Sequence, residues 1–147
     1  MQPAKRINIV SLKLVREGSV LYKERQVKSP EDAYKLLKPF LAGADREVFV
    51  VCLDTKNQPT AIHVCHVGSL NASIVHPREV FKSAILANAA SVLVAHNHPS
   101  TDPTPSREDI DVTRRLVEAG RIVGIELLDH VVVGGERFVS LKEKGYV

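Results

Sequence analysis

His96 and His98 stand one residue apart at the end of the apolar run SVLVA, and Pro99 follows them directly. Side chains on a strand alternate faces, so the two imidazoles point the same way, roughly 6–7 Å apart at a rise of ~3.3 Å per residue. Two rings so placed can reach one metal ion at ~2.0–2.1 Å. A histidine pair of this kind also occurs as plain surface or packing residues, so a third group decides its meaning.

Asp109 is that group, with ten residues between it and His98 and with Ser106 three positions before it. Alone, Ser106 and Asp109 read as a helix-capping pair, the hydroxyl and the acid satisfying the first free amides. Beside two histidines, Asp109 completes a set of three protein ligands. Such a set leaves a fourth tetrahedral position to water, the arrangement of catalytic rather than structural zinc.

Other hydrolytic signatures are missing. There is no HExxH helix and no H-x-E with a downstream P-C-x-x-C of a nucleobase deaminase. The letters HNH at 96–98 carry no nuclease meaning, because nucleases of that name separate the three residues widely.

The elements that must hold these residues follow from patterning. Pro99 and the DPTP segment end the strand at the histidines and open its carboxyl end to a cleft, where ligands of α/β sheets sit. Upstream, INIVSLKLV and GSVLYKERQV alternate as two strands joined across Arg16 to Gly18, an expected edge hairpin. SPEDAYKLLKPFLAG is a helix capped by Ser29 and stopped at Gly43.

EVFVVCLDT, the turn KNQP and TAIHVCHVGSL form a hairpin whose first strand is apolar on both faces, as at a sheet centre. HPREVFKSAILANAA is a helix, SVLVAHNH a strand, SREDIDVTRRLVEAG a helix ending at Gly120, IELLDHVVV a strand, and GGE a turn into RFVSL. The order ββαββαβαββ predicts one α/β domain, a mixed sheet covered by helices.

Composition agrees with this reading. The chain has 147 residues, 44% hydrophobic, enough for a real core. Cys52 and Cys65 lie in apolar runs without metal-ligand spacing, as buried thiols in a reducing compartment do. No h-region opens the sequence and no apolar stretch nears the ~20 residues that span a bilayer, so a cytoplasmic protein without membrane contact is expected. The net charge of +3 is spread along the chain and aromatics make up 5%, which permits nucleic-acid binding without arguing for it. His63, His66 and His76 have no partners at ligand spacing and are read as structural.

The run His96-x-His98-Pro99 with Ser106 and Asp109 resembles the JAMM (MPN-domain) metalloprotease signature. The longer string HPREVFKSAILANAASVLVAHNHPSTDPTPSREDIDVTRRL, followed by GIELLDHVVVGG, resembles the bacterial RadC-like JAB branch over residues 29–147, with residues 1–28 as an amino-terminal strand extension. The resemblance implies a cytidine-deaminase-like fold and one Zn2+ held by His96, His98 and Asp109. It also implies an acid that activates the water, which its position selects as Glu47, and a Ser106 hydroxyl on the developing oxyanion. Glu79 is the rival acid, with a sufficient role as a first-turn helix acid.

Asp129 and His130 recur in RadC-like chains, but alternation lets at most one face the site. Thr101 stands where the family usually has glycine, which would stiffen the loop. The 28 residues before Ser29 are too few for the helix-hairpin-helix region of full-length RadC proteins. The expected activity is hydrolysis of a peptide or isopeptide bond in a protein or peptide substrate. The alternatives are a DNA-repair or mobile-element accessory acting on nucleic acid and a non-catalytic metal-stabilised interaction module. The sequence does not fix the oligomeric state.

Overall fold

Two runs buried along almost their whole length set the sheet: β1 (Glu47–Leu53) and β3 (Ser91–Asn97). The computed structural model describes residues 1–41, 47–67 and 75–147. Among these the chain also forms α1 (Pro30–Leu41), β2 (Pro59–Val67), α2 (Pro77–Leu86), α3 (Arg107–Val123), β4 (Glu126–Gly134) and β5 (Arg137–Ser140). The strand order is β2-β1-β3-β4-β5. All neighbours are antiparallel except β3 and β4. That parallel pair needs a crossover, and α3 supplies it.

Alternation along the strands divides the core in two. Val48, Val50, Cys52, Val92 and Val94 pack with α2 and α3 through Val80, Phe81, Val112 and Leu116. Phe49, Val51, Leu53, Leu93 and Ala95 pack with α1 through Ala33, Leu36 and Leu37. Helices therefore cover both faces of a mixed sheet, as the patterning predicts. His96 continues the face of Val92 and Val94, which points it at α3.

α1 begins as expected, with the Asp32 amide donating to Ser29 Oγ at 3.2 Å. The expected stop at Gly43 and the strand end at 68–70 lie outside the described residues, as does the side chain of His66.

Two expectations need correction. The amino-terminal hairpin is not formed: residues 1–29 contain no helix or strand, and Ile7, Ile9, Leu12 and Leu21 are exposed. Alternation gives a segment the capacity to pair, but two strands without a sheet behind them are marginal.

The third helix does not end at Gly120 but runs on to Val123, where Gly124 caps it at φ 78°. That left-handed conformation suits glycine. Gly120 serves packing instead, since a Cβ there would lie 2.5 Å from the Ile125 carbonyl oxygen.

Candidate metal centre

β3 delivers His96 fully buried, and the first turn of α3 delivers Asp109, also buried. His98 lies just past the strand, where its amide donates to the Val133 carbonyl at 2.7 Å and prolongs the pairing with β4. The three side chains converge, with ligand atoms all within 4.8 Å of one another. His96 Nε2 is 3.0 Å from Asp109 Oδ1, His98 Nε2 is 3.2 Å from Asp109 Oδ2, and the two Nε2 atoms are 3.0 Å apart. This group can hold a metal ion.

Asp109 caps and converges at once. Its amide donates to Ser106 Oγ at 3.1 Å and its Oδ2 accepts from the Ser106 amide at 2.7 Å, a complete capping box. The two readings of the Ser106–Asp109 spacing are therefore compatible: the cap is what aims the carboxylate. Burial works to raise the Asp109 carboxyl, but the His96 and His98 imidazoles set against it, with the Ser106 amide, prevail and hold it well below the usual carboxylate range. An ionised carboxylate in this position could serve a bound cation.

The orientation of His98 comes from the loop after it. His98 Nδ1 donates to the Asp102 carbonyl at 2.8 Å, which leaves Nε2 as the unprotonated nitrogen of the neutral ring. Thr101 adopts φ 68°, a conformation costing a residue with a Cβ ~1–2 kcal/mol. Its amide donates to the His98 carbonyl and closes the turn.

The loop rests on Gly134, where a Cβ would lie 2.6–2.7 Å from backbone atoms of Thr101, Asp102 and Pro103. Gly134→Ala should therefore push the loop off β4, with the ~1–3 kcal/mol destabilisation typical of overpacking, and loosen His98. A metal titration of this variant should show weakened binding; wild-type affinity would mean that the Asp102 carbonyl does not set His98.

Glu47 opens β1 beside Val48, which pairs with His96, so its backbone sits at the histidine end of the sheet. Its amide donates to Asn97 Oδ1 at 2.8 Å. The residue between the two histidines thus anchors the strand that carries the acid, a role the sequence did not reveal. The Glu47 carboxylate is not part of the ligand cluster. Glu79 lies in the first turn of α2 and pairs with Lys82 at 3.2 Å, as an exposed helix acid does.

Of the pair that alternation sets apart, His130 faces the site. Its Nε2 is 2.8 Å from His96 Nδ1 and its Nδ1 is 2.6 Å from Thr113 Oγ1. Burial pushes its pKa down to about 3, with His96 beside it adding to the effect, so the ring is neutral. Asp129 instead accepts from Ser140 Oγ at 2.6 Å and from the Lys142 amide, tying β4 to the end of β5. The spacing of Thr113 from Asp109, four residues along one helix face, was a readable signal for its place here.

His63 lies on β2 opposite Val50, and His76 precedes α2; neither joins the cluster. Both cysteines are free thiols. Burial raises Cys52 and pushes Cys65 up to about 11, which is opposite to what a thiolate nucleophile needs.

A family model described as the RadC-like JAB domain matches residues 27–146. The chain is 61% identical over 122 residues to a UPF0758 protein of Geobacillus sp. (strain WCH70), covering 82% of this chain and 54% of that one. It is 55% identical over 125 residues to a UPF0758 protein of Methanosarcina barkeri, covering 84% and 55%. A third similarity, to a UPF0758 protein of Methanococcoides burtonii, is 50% over 149 residues and covers 99% and 65%. The chain thus spans about half the length of the first two of these relatives.

Proposed function

Because this chain belongs to the RadC-like JAB domain family, we propose that it is a zinc-dependent hydrolase of peptide or isopeptide bonds. The observation that carries the reading is the convergence of two imidazoles and one ionised carboxylate within 4.8 Å at the end of a sheet strand. Two histidines and one carboxylate suit zinc, and three protein ligands keep a position open for water. A zinc ion bound there would lower the pKa of that water and polarise the substrate carbonyl.

The chain's own residues supply the rest. Glu47 is the proposed general base: it takes a proton from the attacking water and returns it to the departing amine. A general base must reach the water without occupying the metal, and what supports Glu47 is its place at the histidine end of β1, beside Val48, which pairs with His96. Ser106 Oγ accepts from the Asp109 amide, and its own proton remains to donate to the oxygen where negative charge develops. One such donor is typically worth ~3–4 kcal/mol.

The substrate is proposed to be a protein or peptide. No described helix is long and apolar enough to cross a membrane, and two free thiols suit a cytoplasmic setting.

Wild-type protein, zinc-loaded or chelated, assayed in parallel on an isopeptide-linked protein, on peptides and on single-stranded DNA, tests the proposal. Amide hydrolysis that disappears on chelation and returns with zinc is the expected result. Cleavage of DNA alone, or no turnover on any of the three, would overturn it.

A further inference from the structure

His96 is held from behind as well as from the ligand side. Thr113 Oγ1 lies 2.7 Å from the Asp109 carbonyl oxygen and 2.6 Å from His130 Nδ1, and His130 Nε2 lies 2.8 Å from His96 Nδ1. Thr113, His130 and His96 are all buried. A hydroxyl has one proton, so the direction in which Thr113 donates fixes every hydrogen bond in the chain.

We propose that Thr113 and His130 form a positioning relay that decides which nitrogen of His96 faces the metal. With the Thr113 proton on the Asp109 carbonyl, the hydroxyl accepts from His130 Nδ1–H. His130 Nε2 then accepts from His96 Nδ1–H, and His96 presents an unprotonated Nε2 towards Asp109 and His98. In the opposite setting Thr113 donates to His130 Nδ1, His130 donates from Nε2, and His96 carries its proton on Nε2. That proton would point at Asp109 Oδ1, 3.0 Å away, and block coordination. Both settings hold the same number of protons and differ only as tautomers.

The fold favours the first setting. Thr113 follows Asp109 by one helical turn, where a threonine hydroxyl habitually donates to the carbonyl four residues back. The backbone of α3 thereby dictates a tautomer on β3 by way of a ring on β4. The inference rests on the metal-centred reading above, and it makes His130 and Thr113 positioning residues rather than catalytic ones.

The test is a zinc titration of the full chain combined with ¹⁵N spectra of its histidine rings. Zinc-loaded wild type should carry protons on Nδ1 of both His96 and His130. Thr113→Val, which keeps the shape but removes the hydroxyl, should lower zinc affinity by the ~10–100-fold typical of groups that orient a metal ligand. Thr113→Ser should restore it, a rescue that loss of packing alone would not give.

A proton on Nε2 of His130 in the zinc-loaded protein, or wild-type zinc affinity in Thr113→Val, would overturn the relay. The wild-type spectra need no variant, so poor folding of a substitution does not remove the test. The reverse tautomer in an active enzyme would overturn the relay alone. The expected tautomer in zinc-loaded protein that hydrolyses nothing would overturn the hydrolase reading and leave the relay standing.

Discussion

Glu47→Gln should cut hydrolysis by roughly 10²-fold or more while leaving zinc content and melting temperature close to wild type. The substitution keeps size and hydrogen-bonding capacity but removes the proton acceptor. The Glu47 amide still donates to Asn97, because that bond uses the backbone. Steady-state rates and metal analysis on the same preparation check this, with Glu79→Gln as the comparison. Glu79 pairs with Lys82 on an exposed helix, so its variant should keep near-wild-type turnover. An inactive Glu79→Gln beside an active Glu47→Gln would make Glu79 the base and contradict the assignment to Glu47.

Asp109→Asn should fail differently. It removes a charged ligand directly, so zinc affinity should fall by more than the ~10–100-fold expected for groups that only orient ligands. The capping box can survive, because an amide oxygen still accepts from the Ser106 amide. The metal-free protein should therefore melt close to wild type, while the stabilisation by added zinc should collapse. For the wild type that stabilisation is ~2.7 kcal/mol at a free zinc concentration of 100 Kd. Thermal melts with and without zinc separate the two effects. An unchanged zinc-dependent rise in Tm would remove Asp109 from the ligand set.

Much of this architecture was legible because it rests on local rules. The buried runs of β1 and β3, the Ser29 cap and the Pro77 helix start follow from patterning and capping chemistry alone. The convergence of His96, His98 and Asp109 into a group that could hold a metal was legible because the two histidines share a strand face and Asp109 opens the next helix.

What escaped depends on long-range placement. Alternation limited Asp129 and His130 to one inward-facing residue, but only the parallel register of β3 with β4 sets His130 beside His96. Asn97 is the unspecified residue of His96-x-His98 in the sequence, and its bond to the Glu47 amide exists only because β1 lies beside β3. Thr101 stands out in the sequence only as a departure from the family's usual glycine; the physical reason, a φ of 68° in the turn over Gly134 and Gly135, comes from the fold. The amino-terminal segment misled for the converse reason: its alternation is real, but no partner strand within the described residues turns it into a ribbon.

Zinc stoichiometry tests the central claim most directly. Purified wild type titrated with zinc should bind one ion per chain, and His96→Ala and His98→Ala should each lose that ion while Glu47→Gln retains it. Wild-type protein that takes up no zinc, or histidine variants that keep the full complement, would contradict the account.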